Sequence, residues 1–287
     1  MNNQENPIIQ RIIDDITVRY SDNLIAIYGI GSFFDNSLPL NWVKNDIDLI
    51  AIVKSKEEIP TQDWTDIPYK KKQMDGYQVW IGFNTIQGYQ NAKRFRNESF
   101  ANYEWSLIEL KHPENSKLLY GKDIRDQLPS TNNLEFNYDD ILARGLYHIN
   151  KSLSLRNPKI AKKELSKAIF KTGFYFCIFL DSTYRKTSIL EIGNYLKKLE
   201  KEGVNLDEMI RYFQEALIFR VSGEFKSSFK DLQNNFIQYL FKLLQNGTLH
   251  SKMEFQQLID YLTNYFNGFP HLIQKLKKKF EFLRNTK

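Results

Sequence analysis

Apolar residues recur along this chain in two rhythms, and the rhythm changes near residue 130. In the first part, Ile8, Ile9, Ile12, Ile13 and Ile16 follow Asn6-Pro7 at helical spacing and predict a helix with a proline in its first turn. Leu24-Ile25-Ala26-Ile27-Tyr28 predicts a short strand running into Gly29-Ile30-Gly31-Ser32. Asp46 to Val53 predicts a second strand, with Asp46, Asp48, Ile50 and Ile52 on one face and Ile47, Leu49, Ala51 and Val53 on the other. Both faces turn apolar after Asp48, the pattern of a central strand covered on both sides, so the two aspartates sit at its entry end. Gln78 to Phe83 predicts a third strand and residues 89–110 a helix. His112-Pro113-Glu114-Asn115 breaks that helix, and Lys117 to Tyr120 predicts a further short strand before Gly121.

Leu128-Pro129-Ser130-Thr131-Asn132-Asn133 reads as a linker. Helical segments follow near 138–156, 159–180, 188–202, 206–221, 224–246, 251–266 and 270–284, punctuated by Pro158, Gly203, Gly223, Gly247 and Pro270. The expectation is an α+β fold, with a small mixed β-sheet domain over 1–130 and an all-α helical bundle over 131–287.

Composition narrows the classes. With 42% hydrophobic and 26% charged residues the chain suits a soluble protein with a sizeable core. A basic start followed by an apolar stretch is absent from the N-terminal residues, and apolar runs fall short of the about 20 residues that span a bilayer. A cytoplasmic protein without membrane contact is expected. The single cysteine, Cys177, lies in the apolar run 174–180 and excludes an internal disulfide or a cysteine-based zinc site. The net charge of +6 favours anionic partners such as nucleotides or RNA.

The stretch with chemistry in it is Tyr28-Gly29-Ile30-Gly31-Ser32-Phe33, a loop, then Asn45-Asp46-Ile47-Asp48-Leu49. Gly31 removes a side chain where backbone must approach a phosphate closely. Free N–H groups in that turn, with the Ser32 hydroxyl, suit terminal phosphates. Asp46 and Asp48 point to the same side of their strand. At about 6 Å, two carboxylates repel by about 3 kcal/mol at an effective dielectric of 20, and a divalent cation turns that repulsion into binding. Oxygen ligands suit Mg²⁺, which also coordinates substrate phosphates.

Gly-Ser followed by Asp-x-Asp at the head of a strand resembles the polymerase-β-like nucleotidyltransferase superfamily, over roughly residues 20–125. The order of sheet domain and helical bundle is similar to aminoglycoside and lincosamide nucleotidyltransferases, to nucleotidyltransferase toxins, and to minimal nucleotidyltransferases with helical HEPN partners. The resemblance implies that Gly31 and Ser32 contact a triphosphate, ATP first among the candidates, while Asp46 and Asp48 bind two Mg²⁺ ions. A nucleoside monophosphate would pass to a hydroxyl of a small molecule, a tRNA end or a protein side chain.

Two departures stand out. The loop between the motifs is a few residues longer than is usual in the superfamily. Many active members also carry a third carboxylate on a later strand, whereas Gln78 to Asn84 has none. Asp75 precedes that strand. Glu104, and after it Glu109, are the candidates for a third acid or base. The missing acid motivates a second reading, in which the protein is a nucleotide- or RNA-binding regulatory module with a degenerate, antitoxin-like site. Lys44 and Lys171 are candidates for phosphate contacts, and Lys93, Arg94 and Arg96 form a basic cluster. Arg144 and His148 resemble the HEPN ribonuclease pair but stand four apart, the spacing of a structural pair on one helix face. The tail 275–284 is basic and amphipathic, as expected of a last helix that packs its Leu and Phe residues.

Overall fold

A computed structural model describes residues 7–44, 46–59, 72–74, 77–91, 103–136, 138–245 and 271–285. The predicted helix at 251–266, Asp75 and the cluster Lys93, Arg94 and Arg96 lie outside the described residues. The chain divides into two units: Met1–Glu135 with Arg185–Ser188, and Phe136–Tyr184 with Ile189–Lys287. The fold is α+β, a mixed sheet with helices in the first unit and helices in the second.

In the first unit, α1 (Pro7–Tyr20) carries the expected stripe, and Ile8, Ile9, Ile12, Ile13 and Ile16 are all buried. Strands β1 (Leu24–Ile30), β2 (Asp46–Val53), β3 (Lys72–Met74), β4 (Tyr77–Thr85) and β5 (Ser116–Gly121) form one sheet in the order β3-β4-β2-β1-β5. β2 runs parallel to β4 and antiparallel to β1, so it is interior, as its two apolar faces require.

The sheet's two faces are built differently. Ile27, Ile47, Leu49, Ala51, Val53, Val79, Ile81 and Phe83 join the α1 isoleucines, Phe33 and Phe34 in one core. Each large apolar side chain stabilises the fold by about 1.5–3 kcal/mol when fully buried. The opposite face carries Asp46, Asp48, Ile50 and Ile52 from β2. Their register partners on β4 are Gln78, Trp80, Gly82 and Asn84.

The helix expected over 89–110 takes another form. α2 (Ile86–Gln90) begins directly from β4, because the Thr85 side chain caps it by accepting from the Gly88 N–H at 2.9 Å. α3 (Tyr103–Lys111) is separate, and 92–102 lie outside the described residues. Asn84 Nδ2 donates to the Tyr89 hydroxyl at 2.6 Å and to Ser106 Oγ at 3.2 Å, which ties α2 and α3 to the end of β4.

The second unit consists of α4 (Tyr138–Ser154), α5 (Pro158–Leu180), α6 (Ile189–Lys201), α7 (Asp207–Ser222), α8 (Phe229–Gln245) and α9 (His271–Asn285) among the described residues. Asn157 caps α5, with Pro158 at its first position. Phe213 of α7 lies against two glycines. A Cβ on Gly173 would stand 2.8 Å, and one on Gly193 2.9 Å, from its ring. Among the described residues, no helix is long and apolar enough to cross a membrane.

Candidate active site

β1 stays extended through Ile30 (φ −129°, ψ 170°) and then turns at Gly31, whose φ of +73° disfavours any side chain. Residues Gly31–Phe33 form a single 3₁₀ turn, closed by the N–H groups of Phe34 and Asp35, which donate to Gly31 O at 3.0 and 3.1 Å. The opening N–H groups of such a turn find no acceptor within it, the arrangement that suits an anion.

The strand register carries this turn to the aspartates. Ile30 pairs with Asp48 across β1 and β2, so Gly31 emerges beside that carboxylate. A Cβ on Gly31 would lie 3.3 Å from Asp48 Oδ2. Asp46 stands two residues away on the same face, and Asp46, Asp48 and Ser32 are all partly exposed. Two motifs separated in the sequence therefore meet where β1 ends and β2 begins.

Lys44 belongs to the same neighbourhood. Its ammonium donates to Phe33 O at 2.8 Å and sits 5.5 Å from the centre of the Phe33 ring. Burial lowers its pKa, against the opposing influence of the Asp35 charge. Lys44 thus braces the end of the glycine-serine turn. Asp35, itself buried, accepts from the Ser37 N–H at 2.8 Å and from Ser188 Oγ at 3.0 Å, which anchors the loop after the turn.

Tyr28 fixes β1 from within the sheet. Its hydroxyl donates to Asp123 Oδ1 at 2.9 Å and accepts from the Ile124 N–H at 2.7 Å. Burial pushes this phenol up to about 12, helped by Asp123 and opposed by the Ile124 N–H, so it is a fixed structural donor.

The other expected site residues fall elsewhere. Glu104 is in α3, with its side chain outside the described residues, and Glu109 is buried on the same helix. Lys171 lies on α5 of the second unit, where its charge contributes to lowering the pKa of His148. His148 Nδ1 is 2.7 Å from Glu164 Oε2, and Lys151 Nζ is 3.2 Å from Glu164 Oε1, so the HEPN-like histidine is hydrogen-bonded to a carboxylate that Lys151 pairs with. Cys177 is buried, and burial first of all pushes its thiol well above the usual range.

The residues opposite the acids on β4 are Gln78 and Trp80. Paired residues on neighbouring strands share a face, so Trp80 stands beside Asp48. It is partly exposed. Its ring lies over Gly82, where a Cβ would meet Cη2 at 2.7 Å. The sequence pattern does not single Trp80 out, and its even position in the 78–83 run is the one local signal that it shares a face with Gln78.

Two hard oxygen donors on one strand face fit a Mg²⁺ ion that takes its remaining ligands from phosphate and water. Among the described residues, no three His, Cys, Asp or Glu side chains gather as a metal cluster. The chain matches no family model and none of the curated proteins compared with it.

Proposed function

We propose that this protein is a Mg²⁺-dependent nucleotidyltransferase that moves a nucleoside monophosphate from an NTP, ATP first, to an acceptor hydroxyl. The observation that carries the reading is the meeting of Gly31 and Asp48, so close that a methyl group on Gly31 would lie 3.3 Å from the carboxylate oxygen. On this reading it brings a backbone opening suited to phosphate against the acids that would bind the metal. Such a juxtaposition serves a triphosphate better than either motif alone.

On this reading the N–H groups of the 31–33 turn and Ser32 Oγ hold the terminal phosphates. Lys44 keeps the turn in shape and adds positive charge nearby. Asp46 and Asp48 hold the divalent cation, which when bound would neutralise charge on the phosphates. The acceptor oxygen attacks the α-phosphorus, the bond to the bridging oxygen breaks, and pyrophosphate leaves on the side of the turn. The hydroxyl proton passes to solvent.

A second reading rests on β4, which offers Gln78 and Trp80 where a third carboxylate would complete the acid set. A protein built that way could bind nucleotide without transferring it, as a regulatory partner. Incubation with α-labelled NTPs, Mg²⁺ and acceptor pools of RNA, small hydroxylated molecules and protein separates the two. The transferase reading expects label on one pool, abolished in Asp46→Asn and Asp48→Asn. Nucleotide binding without labelling of any pool would favour the regulatory partner.

A further inference from the structure

We infer that Trp80 is the stacking platform for the acceptor, and that the acceptor is a nucleoside hydroxyl whose base lies on the indole. The inference rests on the transferase reading and extends it to the substrate class. Three strands set the geometry. Gly31 follows the end of β1, Asp48 is on β2 and Trp80 is on β4, and the register pairs Ile30 with Asp48 and Asp48 with Trp80. Strands lie about 4.8 Å apart, so the three positions span about 10 Å across one face.

In-line displacement fixes what each end must do. The attacking oxygen and the leaving oxygen stand on opposite sides of the α-phosphorus. With the terminal phosphates at Gly31 and Ser32, pyrophosphate departs on the β1 side. The attacking hydroxyl therefore arrives from the β4 side, where Trp80 stands next to Asp48.

The indole is seated for this. Gly82, two residues on, has no side chain, and a Cβ there would come within 2.7 Å of Cη2 and 3.3 Å of Cζ2 of Trp80. The same Cβ would lie 3.3 Å from Ile50 Cδ1, so ring and isoleucine border one gap. The ring lies along β4 over Gly82, and the residue is partly exposed.

A partly exposed tryptophan whose register partner is Asp48 offers a flat apolar ring and no hydrogen-bond acceptor. Nucleobases bind such faces, because every base has a π surface, and substituting the aromatic ring weakens binding by about 5- to 150-fold per stacked base. A stacked base would bring its ribose hydroxyl toward Asp48. The source is either a free nucleoside or the 3′ end of a single strand, and the net charge of +6 favours the strand.

The test uses the full chain and a fluorescein-labelled RNA hexamer, followed by anisotropy at low salt without NTP, with adenosine as a competing arm. Binding should weaken about 5-fold or more in Trp80→Ala and stay within about 3-fold in Trp80→Phe, which keeps a ring. Trp80→Leu, apolar but not flat, should resemble Trp80→Ala. Gly82→Val, which unseats the indole without removing it, should weaken binding as well. Melting curves confirm that each variant is folded. In the transfer assay the KM for the acceptor should rise in Trp80→Ala while that for NTP does not. Competition by adenosine at concentrations near the hexamer's own dissociation constant would identify the free nucleoside as the source, and failure to compete the strand. A hexamer that does not bind the wild type, equal binding by Trp80→Ala, or Leu performing as well as Phe would each overturn the inference. Mg²⁺·NTP failing to bind the wild type would instead remove the transferase reading beneath it.

Discussion

Gly31 is the residue on which two requirements converge. Its φ of +73° costs an L-residue about 1–2 kcal/mol, and a methyl there would stand 3.3 Å from Asp48 Oδ2. Gly31→Ala should lower the melting temperature by several degrees and weaken Mg²⁺·NTP binding, read by melting and by titration calorimetry. His148 gives a second prediction at this scale. Burial drives its pKa down to about 4, against the hydrogen bond and charge of Glu164. Burial alone would raise Glu164, but the His148 hydrogen bond and the charges of His148, Lys167 and Lys151 hold it at about 2. Both folded values are depressed, so both groups stabilise the fold above their unfolded pKa values and lose that contribution as pH falls. Stability should drop between pH 6.5 and 4 at up to about 1.4 kcal/mol per unit from His148, and further below pH 4.5 from Glu164. His148→Asn should flatten the first slope in denaturant titrations run at stepped pH. That Asp46 and Asp48 share a face was legible in the sequence, because a period of two assigns faces without knowledge of neighbours. Trp80 was not, because standing beside Asp48 depends on the β2–β4 register, which no local pattern encodes.

Among the elements, α1 and β2 were readable from spacing alone, since each presents a continuous apolar set to one core. The 89–110 segment was not, because a single side chain decides where α2 starts. Thr85 ends β4 as its last paired residue and caps α2 at once, a double duty that periodicity cannot reveal. Helix packing in the second unit has a similar hidden determinant. Gly173 and Gly193 read as weak helix positions, yet their missing side chains admit Phe213. Gly173→Val should destabilise that unit by about 1–3 kcal/mol through overpacking, although valine is the better helix former. Ile12→Ala on α1 should cost about 2–5 kcal/mol. Chemical denaturation of each variant measures both.

For the whole molecule, the chain's division is not a single cut. Arg185–Ser188 belong with the first unit although the helices around them belong to the second. The Arg185 side chain donates to Thr131 O at 2.8 Å and to Leu134 O at 3.1 Å, and His112 Nε2 lies 3.0 Å from Arg185 O. Such long-range bonding could not be read from a linker signal at 128–133, which marks where the chain turns and not what returns to it. Arg185→Ala leaves those carbonyls short of a donor and should cost about 1–3 kcal/mol, seen as a lower denaturation midpoint. Every functional step above depends on Gly31, Asp46 and Asp48 making one Mg²⁺–nucleotide site. Titration calorimetry of the full chain with a non-hydrolysable ATP analogue and Mg²⁺ addresses that site without any need to know the acceptor. Binding should occur at one site, be abolished by EDTA, and weaken at least about 10-fold in Asp48→Asn, about 1.4 kcal/mol or more. Equal binding by the Asp46→Asn/Asp48→Asn double variant, or none by the wild type, would contradict it.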